Sequence, residues 1–261
     1  MMLLISSLAL AEDISFDPKL DIPLATLALG SYYFMKDQTP RDILGVANPQ
    51  GVDAWGAPRW NNDAIVFSDF MGHPLKFYGC NGPILSSLAL GLGMGLQNGA
   101  QQGLIHSFVV MEAVAINVSI TQGLKLLISR PRPFTSLAFQ EQYSDEYNGA
   151  YIQEELENHD AWLSMPSGHT STAAATYMSI ATLLAFHYPQ HRYWFYGGAT
   201  ILTGITGGAR VVAGMHHPTD VLVGGVLGAS IGYGVAKLHT RSESNVQATL
   251  SPNVFMLNGV W

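Results

Sequence analysis

Apolar positions gather into six long stretches, residues 22–35, 83–96, 104–128, 171–186, 194–212 and 221–238, each too long and too weakly alternating for a strand. The pattern predicts six helices. Gly recurs within them, and a run such as Gly91-Leu-Gly93-Met-Gly95 lowers local helix propensity while suiting close helix packing. Two irregular segments interrupt the pattern. Residues 36–82 carry Pro40, Pro49 and Pro58 together with Trp55 and Trp60, and read as loop plus a short helix. Residues 134–165 carry Glu141, Asp145, Glu146, Glu154, Glu155, Glu157 and Asp160 without a Lys or Arg, the usual composition of a solvated loop. The expected fold is all-α, a six-helix-core bundle with long irregular loops. One domain is expected over residues 12–261, and the tail 242–261 is assigned no role.

Charge narrows the partners. A net charge of -7 with only 12 Lys and Arg argues against nucleic acid, which needs a basic face to displace counterions. The single cysteine, Cys80, excludes a disulfide framework and a multi-cysteine zinc site, and is expected to be buried packing. Near the start, the apolar residues 2–10 end in Ala9-Leu10-Ala11 before Glu12-Asp13, a small-x-small pattern that marks residues 1–11 as a signal peptide and the protein as exported. Against simple membrane crossing stand Glu112, Asn117, Gln122 and Asp220 inside the apolar stretches and a lack of positive-inside bias in the loops. A cleaved leader followed by six spans would also put the helix ends described next on the cytoplasmic side. The expectation is therefore an exported bundle, periplasmic or touching membranes, with membrane spanning as the open alternative.

Three helix ends carry candidate chemistry. The first is Lys125-Leu-Leu-Ile-Ser-Arg-Pro-Arg132-Pro133, where Lys125 and Arg132 lie two helical turns apart and are expected on one face. Arg130 and Arg132 each precede a proline, which marks the helix end. The second is Met165-Pro-Ser-Gly-His169, with Ser167 as a natural N-cap and the amides after it, starting at Gly168, as an anion site beside His169. The third runs from Arg210 to His216-His217-Pro218-Thr219-Asp220, with Pro218 suited to the first helical position, His217 to the cap and Asp220 to the first turn, four residues after His216. Singly, each is equally well read as an ordinary capped helix end. Jointly they assemble three cations, two neutral donors and two imidazoles suited to one phosphate.

The ordered set Lys-x6-Arg-Pro, Pro-Ser-Gly-His and Arg-x5-His-x3-Asp, over residues 125–220, resembles the three-part signature of the type 2 phosphatidic acid phosphatases, bacterial acid phosphatases and vanadium haloperoxidases. One departure is Ala209, where that family usually places Ser before the Arg. The resemblance implies a phosphatase domain with its motif core at about residues 83–239. It further implies metal-independent hydrolysis of phosphate monoesters or diphosphates, lipid-linked ones included, through a phosphohistidine. His216 would attack phosphorus, Asp220 would fix its tautomer, and His169 would protonate the leaving group and then activate water. Lys125, Arg132, Ser167, Gly168 and Arg210 would hold the phosphate oxygens, each charged contact being worth on the order of 3 kcal/mol, about two decades in rate. A bell-shaped pH profile follows from the opposite protonation states of the two histidines. No cofactor or metal is expected, and vanadate should inhibit.

Two other readings stay open at this point. A vanadium haloperoxidase would use the same anion pocket with vanadate as cofactor, although such enzymes are considerably longer. A non-catalytic membrane or scaffold bundle, or a metal module built on His216, His217 and Asp220, would need the helix ends only as caps or ligands. The remaining histidines, His73, His106, His159, His187, His191, His217 and His239, are expected to be structural.

Overall fold

The computed structural model describes residues 14–38, 62–72, 82–135 and 159–240, and these form an all-α bundle. Seven α-helices occur among them: α1 (Asp21–Lys36), α2 (Asn62–Gly72), α3 (Gly82–Asn98), α4 (Ala100–Ile128), α5 (Gly168–His187), α6 (Arg192–Val212) and α7 (Pro218–His239). Six match the apolar stretches, and α2 is the short helix expected between the first two. Cys80, residues 1–11 and residues 242–261 lie outside the described residues.

The six long helices run alternately up and down, so that the C-terminal ends of α1, α4 and α6 and the N-terminal ends of α5 and α7 share one end of the bundle. Gln122 near the end of α4 reaches the carbonyl of Met35 near the end of α1, and the backbone of Ser167, at the cap of α5, bonds the carbonyl of Asp220 in the first turn of α7. At the opposite end the chain's first described residues meet the end of α7, where Ser15 bonds the carbonyl of His239 through both its amide and its hydroxyl.

Small residues set how closely the helices approach. On α7, Gly224, Gly228 and Gly232 repeat every four residues and face the backbone of Ser167, Ser171 and Ala175 on α5, so a β-carbon at any of the three would collide with main chain. In the run noted above, Gly91 and Gly95 face Gly103 of α4 while Gly93 faces open space. Two of the three glycines therefore serve packing.

The polar residues that interrupt the apolar stretches all turn inward. Asn117 and Thr121 of α4 bond Ser171 of α5 at 3.2 and 3.1 Å. Glu112 of α4 accepts from Nε2 of His239 at 2.8 Å, while Nδ1 of His239 donates to the carbonyl of Ser15 at 2.7 Å. His106 and His187 meet through their Nε2 atoms at 2.8 Å. The outer surface is the reverse: Leu85, Leu88, Leu92 and Leu96 form an exposed stripe along α3, and Leu222, Val226, Tyr233 and Leu238 are exposed along α7. The interior thus holds buried polar and small residues beside apolar ones such as Val109, Leu126 and Leu183, while large apolar side chains also line the outer surface.

Candidate active site

Helix α4 stops at Ile128 because Ser129 turns into the left-handed region (φ 49°), and Pro131 and Pro133 cannot continue a helix. Arg132 therefore does not share a helical face with Lys125, contrary to the expectation from their spacing. The two still converge, because the chain after Ser129 folds back across the helix end and is tied to the segment that leads into α5. Arg132 donates its amide to the carbonyl of Ala161, and Ser164 donates its amide to the carbonyl of Arg130, both at 2.8 Å. His217 completes the seam, its Nε2 donating to the carbonyl of Pro131 at 3.3 Å. Backbone bonds thus draw the three motifs, far apart in sequence, to one place.

The cap assignments hold in part. His217 is the N-cap of α7 with Pro218 at its first position, and the carboxylate of Asp220 accepts the His217 amide at 2.9 Å. Ser167 is the N-cap residue of α5, but its hydroxyl pairs with that of Thr170 at 3.0 Å and makes no cap bond to the backbone. Gly168 abuts Lys125, whose Nζ would lie 3.9 Å from a β-carbon placed there, and His169 follows in the first turn with its Nε2 atom buried. Arg210, in the last turn of α6, reaches back to the hydroxyl of Ser68 on α2 at 3.1 Å. Lys125, Arg132 and Arg210 lie near enough for their charges to act on one another or on His216.

His216 is buried among these groups. Its Nδ1 lies 3.6 Å from Oδ2 of Asp220, too long for a direct hydrogen bond, and 3.4 Å from the hydroxyl of Ser164. Ser164 gives its single proton to Asp220 at 2.5 Å, which leaves an oxygen lone pair for an Nδ1 proton of His216. The carboxylate is fixed from its other side by Arg130, whose Nη1 donates to Oδ1 at 2.8 Å and to the Thr219 hydroxyl at 2.6 Å. With the proton on Nδ1, the lone pair sits on Nε2, a buried atom with no hydrogen-bond partner among the described residues. Burial, with Arg132 and Arg210 adding to it against the opposing pull of Asp220, pushes the imidazole down to about 3. The ring is therefore neutral at physiological pH, with an available nitrogen beside two guanidinium groups.

A second carboxylate, Asp160, stands on the solvent side of the cations. Its oxygens meet Lys125 Nζ at 3.3 Å and Arg132 Nη2 in a very short contact, and its carbonyl accepts from Arg132 Nε at 2.9 Å. Burial alone would raise its carboxyl, but Arg132 and Lys125 outweigh that and hold it well below the usual range. Asp160, Ser164 and Arg130 had no place in the expected site. Arg130 carried a visible signal, a third cation beside Lys125 and Arg132, but one equally consistent with helix capping; the other two carried none, because their roles depend on what the fold brings next to them.

The family model of the PAP2 superfamily matches residues 107–244, just over half of the chain. The chain belongs to this superfamily. Among curated PAP2-type relatives, phosphatidylglycerophosphatase B of Bacillus subtilis is 40% identical over 73 residues, 27% of this chain and 36% of the relative. Lipid A 1-phosphatase of Rhizobium johnstonii is 34% identical over 106 residues, 41% of this chain and 36% of the relative. Each match spans only about a third of the relative's own length. A crystal structure of a transmembrane PAP2-type phosphatidylglycerolphosphate phosphatase from Bacillus subtilis aligns over 84% of this chain and 92% of that chain, with a TM-score of 0.47 and 21% identity. The matched PAP2 region contains all three motifs.

Proposed function

We infer that this PAP2 protein hydrolyses lipid phosphate monoesters or diphosphates without a metal, through a phosphohistidine formed on Nε2 of His216. The observation that carries the reading is that atom: buried, without a hydrogen-bond partner among the described residues, on a ring held neutral. In the first step the Nε2 lone pair attacks phosphorus and the ester P–O bond breaks. The leaving alkoxide takes a proton from His169. Water, deprotonated by His169, then cleaves the P–N bond and releases inorganic phosphate. Lys125, Arg132 and Arg210, with the amides at the start of α5, neutralise the phosphoryl oxygens, where charge builds in each transition state. Asp220 and Ser164 keep the His216 proton on Nδ1, and Asp220 stabilises the ring as it becomes cationic.

Lipid substrates are favoured by the apolar outer faces of the helices and by the substrates named for the relatives. Helices α4 and α7 are long and apolar enough to cross a membrane by length and composition. Only 22% of the apolar window of α7 is buried, which fits a helix facing lipid better than the core helix of a soluble protein. With the exposed leucines of α3, this supports a bundle set into the bilayer with its phosphate site at one membrane face. The decisive experiment uses the detergent-solubilised full chain with phosphatidate in excess chelator. Phosphate release should persist, and His216→Ala should abolish it while leaving the thermal unfolding profile recognisably native. Turnover that vanishes with chelator and returns with a divalent metal would refute the metal-free route.

A further inference from the structure

Asp160 places a carboxylate between two of the three cations to which the proposed function assigns the phosphoryl oxygens. One of its oxygens meets Lys125 Nζ at 3.3 Å and the other meets Arg132 Nη2. It also lies near His216. The side chains of Lys125 and Arg132 are 10% and 5% exposed, whereas that of Asp160 is 39% exposed. The cations are thus locked in the wall while the carboxylate sits at the mouth, beside the half-exposed ring of Trp162 on the same short 3₁₀ turn, His159–Trp162. A carboxylate and a phosphoryl group offer the same planar pair of anionic oxygens to a guanidinium. Both cannot hold Lys125 and Arg132 fully at once.

We propose that Asp160 is an internal competitor for the phosphoryl site, holding Lys125 and Arg132 in place of the substrate's oxygens and yielding them when a phosphoryl group enters. This rests on the phosphate-binding role given to those cations above. The exchange has a use after turnover as well as before it. Inorganic phosphate, the last product in the pocket, would otherwise meet three cations and a row of amides and leave slowly, and release of product limits many hydrolytic cycles. A resident carboxylate that re-forms its two ion pairs offsets part of that grip. It also keeps two like charges compensated while the site awaits substrate, which preserves their geometry.

The test is direct binding of inorganic phosphate to the purified full chain by titration calorimetry, with wild type compared with Asp160→Asn and Asp160→Glu. Asparagine keeps the size and removes the charge; glutamate restores the charge on a longer stem. Competition predicts that Asp160→Asn binds phosphate about tenfold more tightly, the worth of one charge-assisted contact, and that Asp160→Glu lies nearer wild type. Product inhibition by phosphate should strengthen by a similar factor. Binding by wild type that is unchanged or weakened in Asp160→Asn would overturn the proposal alone, showing Asp160 to be a support for the two cations. No phosphate binding by wild type or by either variant would overturn it together with the phosphatase reading.

Discussion

Two ion-pair systems lie side by side in this site and differ in one respect, their access to water. Arg130 and Asp220 form a pair in which the carboxylate is wholly buried and every contact is to protein: Ser164, the His217 amide and the arginine itself. Lys125, Arg132 and Asp160 form a set in which the cations are buried but the carboxylate faces out. A buried pair cannot lose one member without stranding the other in a medium of low polarity. A carboxylate at the mouth can leave its cations without being stranded itself, because water solvates it while an entering anion takes its place. The first system is therefore a fixed frame for His216 and the second an exchangeable clamp, even though both are built from the same types of residue on adjoining turns of chain.

Removing one member from each ion-pair system should separate the two most strongly. Arg130→Ala should destabilise the protein by about 3–5 kcal/mol, since it strands Asp220. Asp160→Asn should cost less, about 1–2 kcal/mol, because the amide oxygen that replaces the carboxylate still accepts hydrogen bonds from the two buried cations. Equal shifts of the thermal unfolding midpoint in the two variants would erase the distinction. The next largest effect separates the clamp's chemistry from its stability. Arg132→Gln should lower kcat/KM by about two decades, while its unfolding midpoint should move less than that of Arg130→Ala; steady-state kinetics and thermal unfolding on the same preparations check both.

Smaller effects sharpen the frame itself. Ser164→Ala removes the hydroxyl that joins Asp220 to Nδ1 of His216 and should lower kcat about tenfold, the value of one hydrogen bond to a charged group, with KM nearly unchanged. A change confined to KM would mean that Ser164 contacts substrate instead. The pH profile gives the finest test. The reactive form of His216 is neutral, and its pKa of about 3 keeps it neutral until the pH falls to that region. Protonation of the nucleophile should therefore not limit kcat/KM near 6.5, where an ordinary imidazole would titrate. Any limb near neutrality should respond to replacement of His169 and not to changes around His216.

Much of this was legible in the sequence, for a physical reason. Helix ends are written locally: Pro218 and Asp220 fix the start of α7, the two prolines after Arg130 and Arg132 fix the end of α4, and the three motifs each sit at such an end. The six long helices follow from length and apolar content alone. What the sequence could not carry is the partnership of side chains from different elements. Arg130 looks like a capping cation until Asp220 is placed against it, Ser164 like one more loop serine, and Asp160 like one more charge in an acidic loop. Lys125 and Arg132 meet through a left-handed turn at Ser129 and a backbone seam to residues 161–164, not by sharing a helical face. Farther along α4, the inward-facing Glu112 and Asn117 are visible in the sequence as polar anomalies in an apolar stretch but are explained only by His239 and Ser171 beside them.

In the proposed mechanism one particular nitrogen, Nε2 of His216, becomes phosphorylated. Rapid acid-free quenching of the full chain during turnover of a radiolabelled phosphate monoester, in chelator, followed by peptide mapping, examines it most directly. The label should appear on the peptide bearing His216, stable to alkali and lost in acid, and should be absent from His216→Ala. An actively turning-over protein that carries no label at this residue, or carries it elsewhere, would contradict the claim.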